Sequence, residues 1–140
     1  MAAYDDQNIF ARILRGELPC HKIHEDEHTL AFMDIMPRCE GHCLVIPKAP
    51  VRNLLEADDA TLARLHAAVA RVARAAMRAF DAQGITIQQF NEQAGGQVVF
   101  HMHVHVLPRH EGVPLKPHSG EMAKPEILAA HAARLREQLG

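Results

Sequence analysis

Three histidines alternate with apolar residues in the run HMHVHV at positions 101–106. On a β-strand successive side chains point to opposite faces, so His101, His103 and His105 are predicted to share one face and the three apolar residues the other. With a rise of ~3.3 Å per residue the outer two histidines would stand about 13 Å apart, too far to ligate one ion together on a regular strand. The pattern therefore predicts a strand with a buried apolar face and an imidazole-lined face.

The alternation has a simpler explanation, because the chain holds 11 histidines in 140 residues and a polar strand face can be merely solvated. Strict spacing against apolar residues, shortly after Gly95-Gly96, favours a functional site instead. Two kinds of ligand fit it. One is a nucleotide phosphate, and the other is a metal ion held by two of the three imidazoles, as in His-x-His metal sites.

Composition excludes several classes of protein. At 140 residues the chain suits a single domain, and its net charge of -2, from 15 basic and 17 acidic residues, gives no nucleic-acid footprint. The cysteines Cys20, Cys39 and Cys43 are odd in number and show no Cys-x-x-Cys spacing, which suits a reducing compartment. An acidic N-terminus and the lack of a run of ~20 apolar residues argue against a signal peptide and a membrane span. We expect a cytoplasmic protein with no membrane or nucleic-acid partner.

Hydrophobic spacing and turn residues predict mixed helices and strands. Helical periodicity covers residues 5–15, a long segment at 58–83 that Asp58 or Asp59 caps and Gly84 ends, and a final helix that opens at Pro125. Strand patterns cover residues 22–25, 28–33, 41–47 and 85–91, followed by the histidine strand. His110 and His118, in the loop before the last helix, are predicted to be solvated.

These features together resemble the histidine-triad (HIT) family of nucleotide hydrolases and transferases. The run HMHVHVL is similar to the family's His-x-His-x-His motif, and further motifs follow the family's order from about Asn8 to Arg109. The chain looks most like the Hint-type branch and its small bacterial relatives. The upstream motifs are Ile9-Phe10, Gly16-Glu17-Leu18-Pro19, Glu25-Asp26-Glu27, residues 30–35, Gly41-His42, residues 44–48 and Gly96-Gln97.

The resemblance implies an α+β, HIT-like fold in one domain spanning residues 1–140, with a core at 8–109 and a C-terminal loop and helix at 110–140. A five-stranded antiparallel sheet would carry a long central helix and a C-terminal helix, and two chains would form a homodimer. The implied substrates are purine nucleoside monophosphate conjugates such as phosphoramidates or adenylates of AMP. Cleavage at the α-phosphorus would proceed through a nucleotidyl-histidine intermediate, with no cofactor and no metal.

Site residues follow from the resemblance one by one. His103 matches the nucleophile, His105 a phosphate ligand, and His101 a residue that orders the site together with His42. Asp34 matches the carboxylate that holds the ribose hydroxyls. The other implied substrate-binding residues are a base and ribose pocket of Ile9, Phe10, Ile13, Leu18, Phe32 and Ile35, and a phosphate-side loop of Asn91, Gly96 and Gln97.

Elementary chemistry agrees with these roles. A neutral imidazole, whose ordinary pKa is near 6.5, can attack phosphorus when its other nitrogen donates to a carbonyl that fixes the tautomer. Neighbouring imidazoles and the backbone N–H groups of a glycine turn are expected to stabilise charge on the phosphoryl oxygens.

The sequence departs from the family pattern in two places. Many relatives hold a structural zinc with two cysteines and a histidine at positions that are Asn8, Ala11 and Pro50 here, so no zinc is expected. Many also have Ser or Thr after the Gly-Gln pair, where this chain has Val98. The second change bears on the leaving group and the rate.

Three functions from different classes stay open at the level of sequence. The first is a nucleotidyl-histidine enzyme that acts on AMP conjugates. The second is a nucleotide-binding regulatory or scaffold protein whose hydrolysis is incidental, since binding and chemistry use the same residues. The third is a His-x-His metal enzyme of all-β type, which the long helical segment argues against.

Overall fold

The computed structural model describes residues 2–118 and 120–139. A five-stranded antiparallel sheet with the spatial order β1-β2-β3-β5-β4 forms its centre, and helices cover it, which confirms the expected α+β architecture. The strands are β1 (Lys22–Glu25), β2 (Thr29–Met33), β3 (Cys43–Pro47), β4 (Gly84–Gln88) and β5 (Val104–Arg109). The α-helices of the described residues are α1 (Ile9–Leu14), α2 (Asp59–Ala79) and α3 (Pro125–Leu139).

Helix α2 supplies more buried residues to the main core than any other element. Its apolar stripe packs on β3 and β5, and Leu65 and Val72 on that stripe are fully buried. Each such side chain contributes roughly 1.5–3 kcal/mol on burial. Asp58 caps the helix as predicted, since its carboxylate accepts the N–H of Thr61 at 2.8 Å. The helix ends before the predicted Gly84, because the chain turns away at Asp81, which has a positive φ of 48°.

A second, smaller core lies on the opposite face of the sheet, where α1 packs. Phe10 meets Phe32 there edge to face, with ring centroids 5.4 Å apart. Helix α1 is shorter than predicted and begins at Ile9, because the side chain of Asn8 accepts the N–H of Ala11 at 2.9 Å and so acts as the N-cap. The main core and this second core therefore lie on opposite faces of the sheet.

The histidine run departs from the predicted regular strand. Strand β5 starts only at Val104, so His101 and His103 precede it, and the backbone N–H of Met102 donates to the carbonyl of Val51 instead of a strand neighbour. Met102 and Val104 are nonetheless fully buried in the main core, as the alternation predicts. Because the backbone bends here, the rings of His103 and His105 lie with centroids only 5.1 Å apart.

Strands β1 and β4 form the two edges of the sheet. Strand β4 ends at Gln88, three residues before the predicted end at Asn91, and leaves Ile87 exposed. Helix α3 packs against α2 and β1. Among the described residues, no helix combines the length and the apolar character that crossing a membrane requires.

Candidate active site

A cavity of about 590 Å³ opens on the face of the sheet that carries α1. Its wall combines α1, the end of β2, the β2–β3 connection, the glycine turn and the second and third histidines of the run. Most residues expected from the sequence to bind substrate or act in catalysis meet there. They are Ile9, Phe10, Ile13, Leu18, Phe32, Asp34, Ile35, His42, Gly96, His103 and His105.

The ring of His103 is held in one tautomer. Its Nδ1 lies 2.7 Å from the backbone carbonyl oxygen of His101, and because a carbonyl only accepts, Nδ1 carries the proton. The lone pair is then on Nε2. Burial lowers the pKa of His103, so the imidazole is neutral at pH 7, and the ring packs edge-on against Phe10 at 4.9 Å. This is the form of histidine that attacks an electrophile.

His42 and His105 form a hydrogen-bonded relay. The backbone N–H of Arg38 donates to Nδ1 of His42 at 3.0 Å, which places the proton of His42 on Nε2. That N–H donates to Nδ1 of His105 at 2.9 Å, so His105 carries its own proton on Nε2. Burial is the largest cause that lowers the pKa of His42 to about 4 and that of His105 to about 3. Both rings are neutral at pH 7, and His105 is left as a hydrogen-bond donor.

His101 is fully buried and does not line the cavity. Its Nε2–H donates to the carbonyl of Pro47 at 2.8 Å, and its Nδ1 accepts the hydroxyl of Tyr4 at 2.6 Å. Burial lowers its pKa to about 4. His101 therefore holds the ring of His103 through its backbone carbonyl, whereas His42 holds the ring of His105. His101 and His42 were expected to order the site together, and in the structure each contacts a different histidine of the site.

Asp34 lies beside the relay at the end of β2. Its Oδ1 accepts the N–H of Met36 at 2.8 Å, and its Oδ2 lies 3.4 Å from Nε2 of His42. Burial raises the pKa of this carboxyl group. One carboxylate oxygen is thus committed to the loop, and the other faces the relay and the cavity wall.

The glycine turn needs glycine at position 96. Gly96 has φ +100°, and a Cβ there would lie 3.1 Å from the ring of Phe90. The turn does not offer its first N–H groups to a ligand, since those of Gly95 and Gly96 donate to the carbonyls of Glu92 and Gln93. The expectation that these two glycine amides stabilise charge on the phosphoryl oxygens is therefore corrected. The donor that the histidine relay supplies is the ring Nε2–H of His105.

The side chains of Gln97 and Asn91 hold the turn from behind and are absent from the cavity wall. Gln97 is buried and donates to the carbonyl of Arg52 at 2.7 Å while accepting the N–H of Glu92 at 2.8 Å. Asn91 accepts the N–H of Leu54 at 3.0 Å. Both side chains are committed to neighbouring loops, so they hold the phosphate-side loop in place, and their contact with substrate stays a prediction.

Several cavity residues carried no signal in the sequence. His118 is exposed, as expected, but its ring also packs edge-on against Phe90 with centroids 5.8 Å apart and lines the cavity. Arg38 reaches the same wall from the β2–β3 connection. Tyr4 stands behind the wall, against His101. None of the three belongs to a local motif. The other lining residues that were not expected are Met33, Met36, Leu44, Phe90, Val98 and Val99, together with Pro19, Cys20 and His21.

Asp34, His42 and His105 converge closely enough to raise the question of a metal, with one ligand atom from each within 4.8 Å of the others. Ligation by Nε2 of His42 would move its proton to Nδ1, directly opposite the N–H of Arg38, and so place two donors against each other. The cluster therefore suits a hydrogen-bond relay better than a metal. At the family's zinc positions Asn8 caps α1, Ala11 is buried and Pro50 has no ligand atom in its side chain.

The chain is similar to known proteins over most of its length. Residues 15–112 match the family model described as HIT domain. The chain is 37% identical over 136 residues to the protein named Protein hit of Bacillus subtilis, a match that covers 94% of this chain and 93% of that protein. It is 36% identical over 103 residues to adenylylsulfatase HINT3 of Arabidopsis thaliana, covering 74% of this chain but 52% of the relative. The chain thus spans about half the length of that enzyme.

Two solved structures extend the similarity to three dimensions. A Hit-like protein involved in cell-cycle regulation from Bartonella henselae gives a TM-score of 0.94 at 47% identity, covering 98% of this chain and 99% of that one. A zinc-bound histidine-triad family protein from Mycobacterium smegmatis gives a TM-score of 0.82 at 34% identity, covering 95% and 93%. Both similarities extend over nearly the whole chain and so include the buried histidines.

Proposed function

The chain belongs to the HIT family, and on that premise we propose that it cleaves conjugates of purine nucleoside monophosphates at the α-phosphorus, with His103 as the nucleophile. One observation carries the proposal. The hydrogen bond from Nδ1 of His103 to the carbonyl of His101 leaves a lone pair on Nε2 of a neutral ring at the cavity. The substrate class comprises phosphoramidates and adenylates of AMP.

The proposed reaction has two displacement steps. In the first, the Nε2 lone pair of His103 forms a bond to the α-phosphorus, and the bond to the leaving group breaks with its electron pair. An oxyacid departs as its anion, whereas the nitrogen of a phosphoramidate takes a proton from solvent and departs as the amine. In the second, water attacks the phosphorus, the electron pair of the P–N bond returns to His103, and one water proton passes to solvent. The Nε2–H of His105, fixed by the relay from His42, stabilises charge on the phosphoryl oxygens during both steps.

The nucleoside end of the substrate is proposed to bind between α1 and β2. Phe10 and Phe32 belong to the apolar core on that side of the sheet, and the cavity wall there is mostly apolar. A flat base fits such a pocket, which has few side-chain donors or acceptors to read the base edge, so discrimination among purines is expected to be modest. Asp34 is the carboxylate proposed to accept the ribose hydroxyls.

A cytoplasmic homodimer is also part of the proposal. Strand β4 is an edge strand with Ile87 exposed, and pairing or covering such an edge in a symmetric dimer is a common solution. We expect α2 and β4 to lie at that interface. The free cysteines Cys20, Cys39 and Cys43 support a reducing compartment.

Turnover of a panel of AMP conjugates tests the function directly. We expect the wild-type protein to release AMP from adenosine 5′-phosphoramidate or adenylyl sulfate with EDTA present, and His103→Asn to fail. Binding of AMP without turnover of any conjugate would instead indicate a regulatory or scaffold protein. Activity that EDTA abolishes and zinc restores, together with stoichiometric zinc by metal analysis, would indicate the His-x-His metal enzyme.

A further inference from the structure

We propose that Arg38 and His118 form an anion-binding subsite for the leaving group, and that the preferred substrates are AMP conjugates of oxyacids such as sulfate, phosphate or carboxylate. This inference rests on the proposed function and names the chemistry of its leaving group. It concerns two residues at the end of the cavity opposite the base pocket.

A row of four ring contacts shows where this end lies. The ring centroids of Phe10 and His103 are 4.9 Å apart, and those of His103 and His105 are 5.1 Å apart. The row continues from His105 to Phe90 at 5.7 Å and from Phe90 to His118 at 5.8 Å. A nucleotide with its base at the Phe10 end and its α-phosphorus at His103 directs its leaving group toward the His118 end.

Arg38 brings a positive charge to that end without an acidic partner. Its Nε donates to the carbonyl of Lys116 at 2.7 Å and its Nη1 to Oε1 of Gln88 at 3.2 Å, both neutral acceptors. Within residues 2–118 and 120–139, no carboxylate oxygen lies within 4.0 Å of its guanidinium nitrogens. Burial is the largest cause of the lowered pKa of both His42 and His118, and the charge of Arg38 is the second largest. The electric field of Arg38 therefore reaches the site.

His118 reaches the cavity because the segment after β5 is fastened to the β2–β3 connection. The N–H of Lys116 donates to the carbonyl of Arg38 at 2.8 Å, and the N–H of Ala123 donates to that of Ile35 at 2.9 Å. An imidazole keeps at least one N–H in every protonation state, so His118 adds a donor beside the guanidinium. An oxyanion accepts from both groups, and a guanidinium is well suited to a planar or tetrahedral oxyanion.

The chemistry of the step points to the same class of leaving group. An amine must gain a proton as the P–N bond breaks, whereas sulfate, phosphate and carboxylate depart with the electron pair as stable anions. At the position where many relatives have a hydroxyl residue, Val98 lines the cavity with no proton to give. His42 and His105 are neutral at pH 7, since burial lowers their pKa values to about 4 and about 3. The site therefore favours a leaving group that needs no proton over an amine.

The test compares kcat/KM for adenylyl sulfate and adenosine 5′-phosphoramidate across variants. For Arg38→Gln we expect a loss of about 10- to 100-fold on adenylyl sulfate, because a hydrogen bond to a charged group is removed, and a much smaller loss on the phosphoramidate. Arg38→Lys, which keeps the charge, should recover part of the loss. His118→Asn should reduce turnover of adenylyl sulfate several-fold. Arg74→Gln, an exposed arginine on α2, is the matched control and should change neither substrate.

The outcomes separate the two proposals. Failure of the wild type to cleave either conjugate would overturn the function and the subsite together. Cleavage of both conjugates, with equal losses in Arg38→Gln, would overturn the subsite and leave the function standing. Should Arg38→Gln fail to fold, as its thermal midpoint would show, the same comparison with Arg38→Lys and His118→Asn decides the matter, and equal losses on both substrates would again contradict the subsite.

Discussion

The phenolic oxygen of Tyr4 lies 2.6 Å from Nδ1 of His101, so a residue near the N-terminus completes the hydrogen-bond chain behind the nucleophile. From His101 the chain continues through its Nε2–H to the carbonyl of Pro47 and through its own carbonyl to Nδ1 of His103. With both ring nitrogens bonded, His101 cannot rotate without losing two hydrogen bonds. Tyr4 thereby fixes the carbonyl that sets the tautomer of His103.

Tyr4→Phe keeps the aromatic packing against His101 but removes the hydroxyl donor. The buried Nδ1 of His101 is then unpaired, which should cost about 1–3 kcal/mol of unfolding free energy in urea titration. We expect kcat to fall several-fold with little change in KM, since Tyr4 acts on the position of His103 and not on substrate. An unchanged kcat together with unchanged stability would contradict this role.

The buried neutral histidines make stability depend on pH. Burial lowers the pKa of both His42 and His101 from 6.5 to about 4, so between these values the unfolded chain binds more protons than the folded one. The free energy of unfolding should therefore fall as pH drops from 6.5 toward 4, and thermal midpoints at pH 7 and pH 5 measure it. Lys22 and Lys48 lower the pKa of Glu25 to about 2, so the stability from that carboxylate is constant above about pH 4.5 and is lost only below it, outside the interval from pH 7 to pH 5. Equal midpoints at pH 7 and pH 5 would contradict the buried neutral state.

Most of the fold was predictable because its signals are local. The apolar run that defines β3 and the Asp58 cap of α2 depend on neighbouring residues, and both match the structure. The late start of β5 at Val104 was not predictable, because it depends on a tertiary contact. The N–H of Met102 donates to the carbonyl of Val51, about fifty residues earlier in the chain. The early end of α2 at Ala79 was not predictable either, because it follows from the positive φ of Asp81, a position that no glycine signals.

The same division applies to the site. The histidine motif predicted an imidazole-lined strand face, the resemblance implied His103 as the nucleophile, and the structure places that residue on the cavity wall. Tyr4 was missed because 97 positions of sequence separate it from His101. Arg38 was missed for the same reason, since its partner Lys116 lies 78 positions away. Gln97 was assigned to the cavity from its motif position, but its amide satisfies backbone groups of other loops. Spacing in a motif does not show which way such a side chain turns.

Asp34→Asn tests the ribose contact. The asparagine Oδ1 still accepts the N–H of Met36, so the loop should stay in place, while the negative charge near the ribose is lost. By calorimetry we expect weaker binding of AMP and unchanged binding of 2′,3′-dideoxy-AMP, which lacks the hydroxyls. Equal losses for the two ligands would show that Asp34 acts elsewhere.

Light scattering at micromolar concentration tests the dimer. We expect twice the chain mass for the wild type and a shift toward monomer for Ile87→Arg, because a charge on the edge strand β4 opposes pairing. Ile127→Arg on α3 is the matched control, since Ile127 is 45% exposed and Ile87 is 44% exposed. A monomeric wild type, or equal effects of the two substitutions, would contradict the proposed interface.

The identity of the nucleophile is the central claim, and mapping of the covalent adduct tests it most directly. His103→Asn retains a polar side chain and should bind AMP while losing several powers of ten in turnover, more than His101→Asn or His105→Asn, because it removes the attacking nitrogen. Rapid acid-free quench of the wild-type reaction with an AMP conjugate, followed by peptide mass spectrometry, should find the nucleotidyl group on His103. An adduct on His101 or His105 would contradict the account.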